Sequence, residues 1–258
     1  MPAPINTFKK ALAEGDTLFG CWMSIAESYT AEIMGNAGFD WLLIDGEHSP
    51  NDIRSIRDQM MALKDSDSHP VVRLTVGETW MIKQILDVGA QTVLVPMVET
   101  AEQARELVRA CRYPPEGTRG VGYAVGRVSG FGQIENYGPT ANDQICLLVQ
   151  VESKTGLDNL DDILAVDGVD GVFIGPADLS ASLGFLGQNM HPDMQATILG
   201  ALKKISDSGK AAGILTTDEG MIEKSLEAGA RFVAVAMDIA LLLNNAKAAA
   251  AKWKGKKA

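Results

Sequence analysis

Eight short apolar runs recur along the chain, at residues 18–23, 41–44, 71–74, 92–95, 147–151, 171–174, 211–215 and 231–236. Each is of strand length and nearly continuous in hydrophobicity, as parallel strands covered on both faces are. Between them lie segments with apolar residues at helical spacing. The spacing predicts a helix over 5–14 ended by Gly15, one capped by Ser28 and stopped at Gly38, and one opened by Pro50 or Asn51 that runs to about 63. Further helices are predicted over 79–88, 101–111, 193–207, 218–227 and 239–253, the second of these closed by Tyr113-Pro114-Pro115 because proline cannot continue it. Eight strand–helix units in one chain predict a single-domain α/β fold, the (β/α)8 or TIM barrel. An open doubly wound sheet is the rival. It would want a glycine-rich phosphate loop after its first strand, and CWMSIAES is not one. GRVSGFG follows no strand and lacks the Lys-Ser/Thr of a P-loop.

The stretch from Cys146 to Ser180 shows what this architecture positions. Its two apolar runs, 147–151 and 171–174, are joined by a helical segment, and each leads into an acid: Glu152 after the first, Asp178 after the Gly175-Pro176-Ala177 turn that follows the second. Parallel strands point the same way, so both carboxylates arrive at the strand C-terminal end, where barrels and open α/β sheets place their sites. Two carboxylates converging there suit a divalent cation with oxygen ligands, or else an ion pair with Arg73. The rhythm breaks over 116–142, which is glycine-rich and irregular around RGVGYAVGRVSGFG. A loop of this length in a compact domain usually has a function, here read as covering the substrate.

Composition narrows the partners. The chain has 258 residues, 46% hydrophobic and 22% charged, and a formal net charge of −10. That charge disfavours nucleic acid or anionic membrane, both of which need a basic footprint. The one basic cluster, lysines within 252–257, reads as a solvated helix end. No apolar run approaches the roughly 20 residues needed to cross a bilayer, and MPAPINTFKK lacks a signal-peptide core, so a cytoplasmic location is expected. Cys21, Cys111 and Cys146 are odd in number and far apart, which supports neither a disulfide framework nor a thiolate zinc site.

In a barrel the strand C-termini expose Trp22, Asp45, Glu47, His48, Arg73, Gln150, Glu152, Asp178 and Leu215 on one rim. Polar groups at the ends of apolar strands require partners or a ligand. His48 follows Asp45 by three residues, close enough for the carboxylate to orient its imidazole, so His48 reads as a general base or as a supporting hydrogen-bond partner. The planar guanidinium of Arg73 fits either a substrate carboxylate or a rim salt bridge. His69 and His191 read as structural or solvated. Lys154 sits near the same rim but outside any apolar strand that would lower its pKa, so a Schiff-base role is a minor alternative.

Several segments, WLLIDGEHSPND, PVVRLT, IKQILDVGAQTVLVPMV, RYPPEGTRGVG, LLVQVES and GVDGVFIGPADLSASLG, resemble in this order the class II pyruvate aldolases of the HpcH/HpaI family. The pattern is nearest to that of the 4-hydroxy-2-oxoheptane-1,7-dioate aldolases, and the likeness spans roughly residues 8–249. It implies that Glu152 and Asp178 hold Mg2+, Mn2+ or Co2+ and that His48, paired with Asp45, is the acid/base. It implies also that Arg73 binds the pyruvyl carboxylate, that Gln150 lies beside the metal, and that Asp87 reaches a neighbouring subunit's site. Trp22, Gly175, Pro176, Ala177 and Leu215 would line the substrate. Family members assemble as hexamers, dimers of trimers, with an exchanged C-terminal helix, so residues 241–253 would pack on a neighbour. Cleavage of a 4-hydroxy-2-oxo acid to pyruvate and an aldehyde through a metal-stabilised enolate is the implied reaction, with a small polar aldehyde such as succinic semialdehyde as the expected acceptor. Sugar-acid aldolase and oxaloacetate decarboxylase activities need the same enolate and remain alternatives, as does a noncatalytic barrel that binds 2-oxo acids.

Overall fold

The computed structural model describes residues 1–255; Lys256 and Lys257 of the terminal lysine cluster lie outside the described residues. Eight parallel strands close into a barrel in sequential order, β1 (Leu18–Met23), β2 (Trp41–Asp45), β3 (His69–Arg73), β4 (Thr92–Val95), β5 (Cys146–Val151), β6 (Gly171–Ile174), β7 (Ala211–Leu215) and β8 (Ala230–Met237). Helices α1 (Thr7–Glu14), α2 (Ser28–Gly35), α3 (Ile53–Ala62), α4 (Thr79–Asp87) and α5 (Ala101–Cys111) alternate with the first strands. The rest are α6 (Tyr137–Ala141), α7 (Lys154–Asp158), α8 (Leu160–Leu164), α9 (Pro176–Ser182), α10 (Pro192–Asp207), α11 (Glu219–Glu227) and α12 (Asp238–Lys254).

Boundaries differ from expectation where a better cap was at hand. Glu27, not Ser28, caps α2 by accepting from Tyr29 N, and Asp52 caps α3 in a reciprocal box with Ser55. The expected single helix between β5 and β6 is split into α7 and α8 at Asn159.

Side chains alternate along each strand, so one set fills the barrel and the other faces the helices. Trp41, Leu43, Val71, Leu94, Leu148, Phe173 and Phe232 form the inner cluster, and Phe8 of α1 closes its lower end against Trp41 and Phe232. These rings fit because Gly20 and Gly213 have no Cβ: one at either position would collide with Trp41 or Phe232 respectively. The outer cluster, from Leu42 and Ile44 through Val149 and Val151 to Ile214, packs the sheet against the helices.

The long connection after α5 corrects one expectation. It joins a helix to a strand and therefore lies at the strand N-terminal end, opposite the rim that carries Glu152. Ala3 N donates to Thr140 Oγ1, Asn6 Nδ2 to Gln144 O, and Arg127 Nη1 to Val88 O, pinning the segment beneath the barrel. Residues 122–132 accordingly do not cover the site of their own chain.

Candidate active site

Inward-facing parity builds the site. Continuing the series Trp41, Leu43 brings Asp45 to the barrel mouth; Val71 is followed by Arg73, Leu148 by Gln150 and Glu152, and Phe173 by Gly175. The register of β2 and β3 sets Asp45 directly beside Arg73. Arg73 Nε and Nη2 donate to the two Asp45 oxygens at 2.8 Å each, a bidentate pair, and Nη1 lies 2.6 Å from Glu47 Oε2. Below them, Trp22 Nε1 donates to Asp45 Oδ2 at 3.2 Å, and the Arg73 guanidinium sits 4.8 Å from the Trp22 ring centroid. These contacts hold the Asp45 carboxyl below its ordinary range: hydrogen bonds and charge from Arg73 outweigh the opposing, and individually largest, effect of burial.

The pairing expected between Asp45 and the His48 ring is not formed. Asp45 Oδ1 accepts from the backbone N–H groups of Glu47 at 3.0 Å and His48 at 3.4 Å, while its carboxylate is taken up by Arg73. The imidazole is largely exposed, and the carboxylate beside it is Glu47, whose Oε2 lies 4.0 Å from His48 Nε2. Glu47 stood on the predicted rim without a role. Yet it is buried enough for desolvation to raise its pKa, partly opposed by Arg73 and His48, and its Oε2 has no hydrogen-bond partner of good alignment.

Glu152 is the most perturbed acid at this end. Only 3% exposed, it is pushed up to about 7, first by desolvation and then by the charges of Glu47 and Asp178, against hydrogen bonds from Gln150 and Met97. Gln150 Nε2 donates to Glu152 Oε2, and Met97 N to Oε1 at 2.9 Å. Gly175 lies hard against this pair; a Cβ there would collide with Glu152 Oε2 and meet Gln150 Nε2 at 3.0 Å. Asp178, in the first turn of α9, is exposed. Gln150 Oε1 is buried with no partner.

Pro176, Ala177 and Leu215 border a cleft of about 410 Å³ beside Asp178, with Asn189, Met190, Thr216 and Thr217 among its other walls. No Lys, Arg or His is among its described lining residues, and its one charged group is Asp218. Two residues lie elsewhere. Asp87 ends α4 at the opposite end of the barrel, accepting at 3.0 Å from the fully buried Arg119. Lys154 is exposed, its ammonium 2.5 Å from Asp158, and is not in an apolar pocket. His69 stacks on Phe8 at the barrel's lower end, and His191 caps α10, in keeping with structural roles.

Among the described residues no three His, Cys, Asp or Glu side chains form a ready-made metal cage. The donor set still fits an oxygen-preferring divalent cation that keeps water or substrate ligands. Burial first, and the crowding of Glu47 and Asp178 after it, make Glu152 resist ionising, and Gln150 Oε1 lacks a partner. A cation held by Glu152 and Asp178 would offset that crowding.

A profile of the HpcH/HpaI aldolase/citrate lyase family matches residues 18–245. A hydroxypyruvate/pyruvate aldolase of Roseobacter denitrificans is 84% identical over 254 residues, covering 98% of this chain and 99% of its own. A 4-hydroxy-2-oxo-heptane-1,7-dioate aldolase of Escherichia coli is 52% identical, over 96% of this chain and 95% of its own. Among solved structures, an HpcH/HpaI aldolase/citrate lyase family protein from Burkholderia cenocepacia superposes with a TM-score of 0.93 at 39% identity, covering 96% of this chain and 99% of that one. With the barrel, the acidic rim and these likenesses in agreement, the chain belongs to the HpcH/HpaI aldolase/citrate lyase family and is a carbon–carbon lyase.

Proposed function

We propose that the protein is a divalent-metal-dependent aldolase that reversibly cleaves 4-hydroxy-2-oxo acids to an aldehyde and pyruvate or a close 2-oxo acid such as hydroxypyruvate. The observation that carries this reading is the buried Glu152, held near neutrality among Glu47, Asp178 and Gln150 at the barrel mouth. Such a perturbed acid in a cleft marks a working site. Glu152 and Asp178 are the residues that would hold Mg2+, Mn2+ or Co2+, and the bound cation supplies a Lewis acid for the negative charge of the enolate.

The chain's own residues do the rest. Arg73, fixed by Asp45 and stacked on Trp22, has N–H groups to spare for the 2-oxo acid carboxylate. In cleavage His48 takes the proton of the 4-hydroxyl; the C3–C4 bond breaks, C4 becomes the aldehyde carbonyl, and the electron pair stays on the three-carbon fragment as its enolate. Protonation at C3 completes the 2-oxo acid, and synthesis runs the same steps backwards. Glu47 is the carboxylate nearest the ring, its Oε2 4.0 Å from His48 Nε2. Pro176, Ala177 and Leu215 line the cleft for the aldehyde portion.

The assembly reading extends to neighbours. Beyond Ala240, α12 is exposed along its length, with Leu241, Leu242 and Leu243 in solvent, which supports packing of this helix on another subunit in a hexamer. Asp87, remote from its own chain's site, would serve a neighbour's. The deciding experiment is exchange of pyruvate methyl protons in D2O with EDTA and after re-addition of Mg2+, Mn2+ or Co2+. Metal-restored exchange is expected. Exchange that survives EDTA and is trapped by borohydride would move the chemistry to Lys154; no exchange with any metal would leave a 2-oxo acid binding barrel. Turnover of oxaloacetate compared with hydroxy-oxo acids separates decarboxylase from aldolase.

A further inference from the structure

The loop after β4 contains an unusual backbone. Met97 has φ 53°, in the left-handed region that costs a non-glycine residue on the order of 1–2 kcal/mol. Its side chain is 49% exposed, so packing of the thioether does not explain the conformation. What the conformation does is aim one N–H. Met97 N donates to Glu152 Oε1 at 2.9 Å, while the next residue, Val98, donates its N–H to Gln150 O at 3.0 Å.

The loop is tied to the end of β5 one residue at a time. After Met97 and Val98, Glu99 Oε1 accepts from Ser153 Oγ at 2.6 Å, and Glu99 O accepts from Asn159 Nδ2 at 2.8 Å. Gly156 lies so close that a Cβ there would meet Val98 O at 2.9 Å. Strained backbone persists where its surroundings over-determine it, and it gathers at functional sites. Here the surroundings are the two residues Gln150 and Glu152 and the turn that follows them.

We infer that Met97 is a positioning residue: its strained backbone presents an N–H that fixes the orientation of the Glu152 carboxylate toward the divalent cation. The inference rests on the reading that Glu152 and Asp178 hold that cation. With Gln150 Nε2 on Oε2 and Met97 N on Oε1, both oxygens are oriented while each keeps a lone pair for the ion. Groups that orient a ligand in this way are typically worth roughly 10- to 100-fold in metal affinity.

The test titrates Mn2+ into metal-free protein by calorimetry, with thermal melting of the same samples without metal. Wild type, Glu152→Gln, Met97→Val and Met97→Gly are compared with protein carrying the 2-hydroxy analogue of methionine at position 97, which replaces the amide N–H by an ester oxygen. The ester protein is expected to bind Mn2+ about 10-fold more weakly or worse. Valine, whose branched side chain disfavours the left-handed region, should do the same, and glycine, which adopts it freely, should restore binding. An ester protein that binds Mn2+ as tightly as wild type overturns the role of Met97 while leaving the metal site standing. Should wild type itself fail to bind Mn2+, or Glu152→Gln bind it undiminished, the metal reading falls and takes this one with it.

Discussion

Replacing Glu152 by Gln in the metal-free protein should raise its stability at alkaline pH. The Glu152 carboxyl is displaced from an ordinary 4.5 to about 7. At about 1.4 kcal/mol per decade, that displacement is worth about 3 kcal/mol. Because the folded value is raised, the contribution to stability is fully present below pH 4.5 and lost as pH rises through about 7. Between pH 5.5 and 8 the loss amounts to about 2 kcal/mol. The amide keeps the shape and the acceptor for Met97 N but carries no charge to desolvate. Urea denaturation of wild type and Glu152→Gln in EDTA, at both pH values, reads the effect as a difference between the two proteins. The difference matters because His69, lowered to about 4 by burial, drives the raw profile the opposite way. Added Mn2+ should close the gap at pH 8 by stabilising only the wild type. If the two proteins show the same pH slope in EDTA, Glu152 is not the strained acid on which the site depends.

His69 favours its neutral form in the fold, so its stabilisation is complete above pH 6.5 and is lost as pH falls through about 4. His69→Gln should remove up to about 3 kcal/mol of that acid sensitivity in denaturation between those pH values, and an unchanged acid limb would refute it. Arg73→Lys keeps the charge but not the fork that grips Asp45, and should lower kcat/KM for pyruvate by roughly 10- to 100-fold; steady-state assay of a variant within threefold of wild type would speak against the clamp. The cleft beside Asp178 has Asp218 and no lysine, arginine or histidine on its described walls, which reverses the acceptor expected from the sequence: glyceraldehyde should be a better acceptor than succinic semialdehyde. Competition between the two aldehydes for one pool of pyruvate decides this, and a clear preference for the semialdehyde would place a cation from elsewhere in the site.

Strand periodicity made much of this molecule readable in advance. Once Trp41, Leu43 and Leu148 are inside a barrel, a period of two obliges Asp45, Gln150 and Glu152 to face the mouth, and register adds the Asp45–Arg73 pair. Residues deeper in the turns, two or three past a strand end, carry no such period. Within 46–48 spacing alone favoured His48 as the partner of Asp45, whereas the turn gives Asp45 the backbone of His48 and leaves Glu47 beside the ring. The conformation of Met97 was equally hidden, since a methionine in the left-handed region has no signature in sequence; only the hydrogen bonds of the folded loop select it.

The misplaced loop has a different cause, and a more general one. Its glycines and its length suggested a cover, but chain order had already decided which end it occupies. In a barrel, the connection from helix to strand lies at the strand N-terminal rim, so 122–132 and Asp87 at the end of α4 share the end opposite Glu152. Gly122 confirms the neighbourhood, since a Cβ there would meet Asp87 Oδ2 at 3.2 Å. A segment can therefore be functional in character and still be unable to reach its own active site. If these residues act on substrate at all, topology requires that the substrate be bound by another subunit.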